Sequence, residues 1–145
     1  MIRTGLTWSA TLLVTMFCVS LYASQILPPE AQIPVHWDID GNADRYGGKF
    51  EAMWLMPIVA VLLVLLMAVV PKIDPRKVNL EKSKRAYLTG WIGALLVITG
   101  AHLVTVYIAL GGQAPVVNVI FLMVGVLLSV LGNYLAKTRS NWFVG

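Results

Sequence analysis

The chain has 145 residues, 58% apolar and only 12% charged, with a net charge of +4. Soluble domains carry about 25% charged and roughly 45–50% apolar residues, so a water-soluble globule is excluded. The basic excess does not indicate nucleic acid, because the basic residues flank long apolar runs, which is how membrane orientation is written.

A membrane-crossing helix needs about 20 apolar residues, because the hydrocarbon core is about 30 Å thick and each residue rises about 1.5 Å. The first such run is Leu6–Leu27. Its 22 residues exceed the core of a cleaved signal peptide, about 7–15 residues, so it is expected to be retained. Cys18 is the single cysteine, which excludes an intramolecular disulfide; inside this run it reads as a small buried hydrophobe.

Residues 28–51 form a polar loop of unusual content. Pro28, Pro29 and Pro34 impose extended backbone. Val35, Trp37 and Ile39 alternate with His36, Asp38 and Asp40, the period-2 pattern of a strand with one apolar face. Gly41-Asn42 suits a turn and Arg45-Tyr46 a return strand. A lone hairpin is marginal in water, so its apolar side is expected on the membrane surface or helix ends, with Trp37 and Tyr46 at the interface. The acidic stretch from Asp38 to Asp44 superficially resembles a calcium loop, but an EF-hand needs glycine sixth and glutamate twelfth. Here glycine is fourth and Lys49 twelfth. His36 with Asp38 gives a transition metal too few ligands. His36 with an aspartate has the residue types for acid–base catalysis, without a nucleophile or pocket to mark it. The plain alternative is a turn whose aspartates cap backbone amides and pair with Arg45 and Lys49.

The second run, Ala52–Val70, carries Pro57 in its first turns, where proline costs least. The loop 71–86 is basic, with Lys72, Arg76, Lys77, Lys82, Lys84 and Arg85 against Asp74 and Glu81. The third run, Tyr87–Leu110, holds His102 eight residues from its end, about 12 Å deep at ~1.5 Å per residue. Ser20 and Gly125 fall at similar depth. Intramembrane ionisable groups are functional candidates. His102 reads either as a neutral histidine bonded across a helix seam to a hydroxyl or carbonyl, or as a proton or ion relay. The spans hold no acidic partner, which counts against a relay and a transporter. The uncharged turn Gly111–Ala114 makes the third run and the fourth, Pro115–Ala136, antiparallel neighbours. Gly93 and Gly100 on the third run, and Gly125, Ser129 and Asn133 on the fourth, read as packing seams of small residues.

Nine of the eleven basic residues lie with the termini and the 71–86 loop; only Arg45 and Lys49 lie in the 28–51 loop. Basic loops stay cytoplasmic, so both ends are expected inside and residues 28–51 outside.

At Leu27-Pro28, Ile33-Pro34-x-His36-Trp37 and Gly41-x-x-Asp44-Arg45-Tyr46-Gly47-x-Lys49, directly after the first span, the sequence resembles the SdpI-like family, with its N-terminal domain of unknown function. These are bacterial membrane proteins giving immunity to a sporulation-delaying toxin. Gly132-Asn133, Lys137 and Asn141-Trp142-Phe143-Val144-Gly145 extend the likeness to the C-terminal end. The resemblance implies a secreted peptide toxin as partner, membrane lipids as surroundings and a cytoplasmic repressor held at the membrane, without direct nucleic-acid binding. Family members usually continue beyond this motif into further spans, so the chain reads as a short or truncated form.

The expectation is an all-α membrane protein: one four-helix transmembrane bundle over 1–145, N-in and C-in, with a short extracytoplasmic hairpin-like loop. It is expected in the bacterial cell (inner) membrane, as a binding protein without cofactor or metal rather than an enzyme. The binding candidates are His36, Trp37, Asp38, Asp44, Arg45, Tyr46 and Lys49; Ser20 and His102 are the intramembrane polar pair. The rival reading is an enzyme or transporter of envelope precursors or lipids that uses the outer loop as its site.

Overall fold

The computed structural model describes residues 1–143. Val144 and Gly145, which end the C-terminal motif, lie outside the described residues. Four helices are long and apolar enough to cross a membrane: α1 (Ile2–Ile26), α2 (Lys49–Ile73), α4 (Lys84–Ala109) and α5 (Val116–Leu135). They mark a multi-pass membrane protein. A short helix, α3 (Lys77–Lys82), joins α2 to α4, and the strands β1 (Gln32–Trp37) and β2 (Ala43–Gly48) precede α2.

Three of the helices extend into their polar flanks beyond the apolar runs. Charge ends an apolar run, but lysine and glutamate are good helix formers and the backbone ladder continues through them. Pro57 is accordingly not in the first turns. With α2 starting at Lys49 it is interior, and Pro71 also lies within the helix.

The core is a three-helix contact. Met16 of α1, Ala60 and Val64 of α2, and Tyr87, Trp91 and Leu95 of α4 are buried together. Trp91 fits because Gly5 has no side chain; a Cβ there would meet the indole at 2.6 Å. Cys18, expected buried, is exposed on α1.

α5 packs principally on α4. Gly93 and Gly100 act as the seam expected of them: a Cβ at either would run into Leu127 or Met123 of α5. The second seam is not formed. Nothing lies within 4 Å of a Cβ at Gly125. Ser129 and Asn133 are exposed and bond back to the carbonyls of Gly125 and Ser129, at 2.8 and 3.2 Å. The bulky residues of α5, not its small ones, meet the glycines of α4.

All four long helices alternate in direction, so the hairpin sits at one end of the bundle, and Met1 and the 141–143 segment at the other. At the latter end, buried Asp74 accepts backbone N–H bonds from Arg76 (2.7 Å) and Trp142 (3.1 Å). Phe143 packs on Tyr87 with ring centroids 4.8 Å apart. The Asn141-Trp142-Phe143 segment is thereby tied to the helix ends.

Candidate functional site

The hairpin is built from a three-residue loop. Gly41 N–H donates to Asp38 O (3.1 Å), Asp38 N–H donates to Asn42 O (2.9 Å), and Gly41 has φ +88°. This is a turn closed by a residue in the left-handed region, which glycine supplies without strain. Asp38 stabilises it by accepting from Asn42 N (2.8 Å) and Asn42 Nδ2 (3.2 Å). The Asn42 backbone N–H holds the Asp38 carboxyl below its ordinary value of 3.8.

The turn begins at Asp38, so the inward set is Ile33, Val35 and Trp37, one pair earlier than the expected Val35, Trp37 and Ile39. Ile33 is buried, whereas Ile39 sits in the turn and is 74% exposed. Ile33 joins Ala23, Met53 and Val106 in a second apolar cluster, which lays the hairpin on the ends of α1, α2 and α4. Two further bonds fix its base. Lys49 Nζ donates to Leu27 O (2.8 Å), and Arg45 pairs with Glu51 (2.7 Å).

The seven loop candidates therefore separate. His36 Nδ1 and Asp44 Oδ1 stand 2.6 Å apart on the exposed strand faces. Tyr46 is exposed. Trp37, half-buried, lines with His36, Asp38 and Ile39 a cleft of about 360 Å³ between the hairpin and residues Met56, Thr105, Val116 and Phe121 of the helices. Asp38, Arg45 and Lys49 are committed to the turn and hairpin base. The aspartates do not pair with Arg45 and Lys49 as expected; Glu51 and the Leu27 carbonyl take those roles, and neither figured among the candidates. Among the described residues no three His, Cys, Asp or Glu side chains converge as metal ligands.

Ser20 and His102 meet at the three-helix seam. Ser20 Oγ lies 2.8 Å from His102 Nε2 and donates to Met53 O at 2.7 Å. The reason is Pro57. Proline has no N–H, so the carbonyl four residues earlier, Met53, has no partner within α2. In lipid such a group must find another donor, and Ser20 supplies it. The hydroxyl has one proton, and it is spent on Met53; His102 Nε2 must then carry the N–H that donates to Ser20. His102 Nδ1 is left as a buried lone pair with no donor among the described residues. Gly125 takes no part in this cluster. Pro71 repeats the arrangement, because Met67 stands four residues before it and receives the Tyr87 hydroxyl. The signal was present in the sequence: each interior proline of a span frees a carbonyl that demands a hydroxyl from a neighbour.

No curated protein and no solved structure matches the chain. Residues 11–61, from within α1 through the hairpin into the first half of α2, match a domain of unknown function, DUF1648, a segment that holds Ser20, Met53, Pro57 and all seven loop candidates.

Proposed function

We propose that this is a membrane protection protein of the SdpI-like type, which binds a secreted peptide toxin or an envelope component through the hairpin. One observation carries the reading. The hairpin is anchored at its base by Ile33, Lys49–Leu27 and Arg45–Glu51, yet it leaves Tyr46 and the His36–Asp44 pair exposed, while His36, Trp37 and Ile39 line a cleft of about 360 Å³. A rigid support presenting aromatic and charged groups is what a recognition surface needs, because little ordering entropy remains to be lost on binding. The family match centres on this segment, and the resemblance rests on its residues. In this reading the hairpin faces outward and the basic end faces the cytoplasm, where a repressor would be held.

The test is survival of a sensitive cell expressing the chain, challenged with candidate secreted peptides. Trp37→Ala, Tyr46→Ala and Asp44→Asn should each weaken binding by about 30-fold, the ~2 kcal/mol of a hot spot, with membrane levels retained. Full protection by all three folded variants would overturn the proposal.

The exposed His36–Asp44 pair, whose histidine lines the cleft, favours the rival, an enzyme acting on a lipid or envelope precursor. In that case Asp44→Asn abolishes turnover of a bound precursor and leaves its binding intact.

A further inference from the structure

Alongside their glycine seam α4 and α5 leave an apolar groove of about 600 Å³, walled by Leu88, Ile92, Leu96, Leu122, Val126 and Val130. Its outer walls are exposed: Leu96 by 51%, Leu122 by 68% and Val126 by 55%. Along α4 the groove runs from Leu88 to Val97, about 14 Å at ~1.5 Å per residue, close to half of a ~30 Å hydrocarbon core. One helical turn beyond it, at the end of the bundle away from the hairpin, lies a second cavity of about 280 Å³. Lys82, Lys84, Arg85, Lys137, Tyr134 and Thr138 line it.

Most of the charge in this mouth is uncompensated. Glu81 stands 4.0 Å from Lys84, and Lys82, Arg85 and Lys137 form no ion pair among the described residues. The first turn of α4 adds the positive end of a 26-residue helix. The opposing carbonyls at the end of α5 are already engaged, Tyr134 O by Lys137 N–H and Leu135 O by Thr138 N–H and Oγ1. A basic mouth over an apolar groove one leaflet deep has the shape and polarity of one molecule.

We propose that it binds an anionic glycerophospholipid, with the phosphate among Lys82, Arg85 and Lys137 and an acyl chain along the α4–α5 groove. This site is separate from the hairpin and does not depend on the function proposed for it. A zwitterionic lipid offers the same chain but leaves the excess positive charge unmatched.

The full chain, purified in mild detergent, is mixed with equimolar phosphatidylglycerol and phosphatidylcholine and weighed by native mass spectrometry. Phosphatidylglycerol adducts of one lipid per chain should exceed phosphatidylcholine adducts at least about tenfold. Lys82→Gln/Arg85→Gln/Lys137→Gln should weaken phosphatidylglycerol by about fivefold per charge, on the order of 100-fold together. Arg3→Gln/Lys72→Gln/Lys77→Gln, which removes as many charges outside the mouth, should leave it unchanged. Val126→Trp or Leu96→Trp, both at exposed positions, fills the groove and should displace both lipids with helix content retained. Any of four results overturns the proposal: no headgroup preference, equal loss in the two triple variants, adducts surviving both tryptophans, or a lipid-free dimer, which would mean that a second copy occupies the groove.

Discussion

Ser20→Ala tests whether a proline in α2 dictates the contacts of α1 and α4. The substitution removes two bonds, Ser20 to Met53 O at 2.7 Å and His102 Nε2 to Ser20 at 2.8 Å, at a site where His102 and Ser20 are fully buried. Interhelical hydrogen bonds in membranes average about 0.6 kcal/mol and reach about 1.7, so the loss should be roughly 1–3 kcal/mol. Repeating Ser20→Ala in a Pro57→Ala background separates the two bonds. Replacing the proline by alanine restores an N–H that closes on Met53 O within α2, so only the His102 bond is then lost. The cost of Ser20→Ala should shrink by about 0.6–1.7 kcal/mol in that background. Reversible unfolding by SDS in mixed micelles measures all four corners, and the void left by the proline ring cancels across the cycle. Additivity within about 0.5 kcal/mol would refute the reasoning, because independent sites behave that way.

Tyr87→Phe should destabilise less than Ser20→Ala in the same assay, because it removes one bond rather than two, and less still with Pro71→Ala, whose N–H closes on Met67 O within α2. Acid should open the hairpin turn. The Asp38 carboxyl is depressed, so its contribution is present above 3.8 and lost as pH falls below that value. Trp37 fluorescence should follow this step, and Asp38→Asn should abolish it. For orientation, cysteines at Asn42 and Lys82 in a Cys18→Ala background should label oppositely with an impermeant maleimide in intact cells, Asn42→Cys from outside. Lys82 is exposed and suits this test, whereas its neighbour Ser83 is buried. Labelling of Lys82→Cys from outside would invert the topology.

The four spans were legible because lipid imposes a length and an absence of charge that a linear sequence displays directly. The tight turn at Gly111 and the glycine seam of α4 were legible for a similar reason, being local needs met by local residues. The hairpin's composition was also legible, but its register was not. Alternation fits Ile33–Trp37 and Val35–Ile39 equally, and the choice fell to Asp38 closing the turn and to Ile33 finding cover on α1, α2 and α4. Pairing of charges likewise required the folded hairpin, which sets Glu51 rather than an aspartate beside Arg45. The failed seam on α5 shows the limit of one-helix reasoning: Gly125, Ser129 and Asn133 share a face, but whether a face meets a partner depends on how α5 is rotated against α4. Ser20 and His102 could be placed at one depth by counting residues. That they touch, and that the Ser20 proton goes to Met53, was decided only by three helices meeting where Pro57 leaves a carbonyl unpaired in a medium without water.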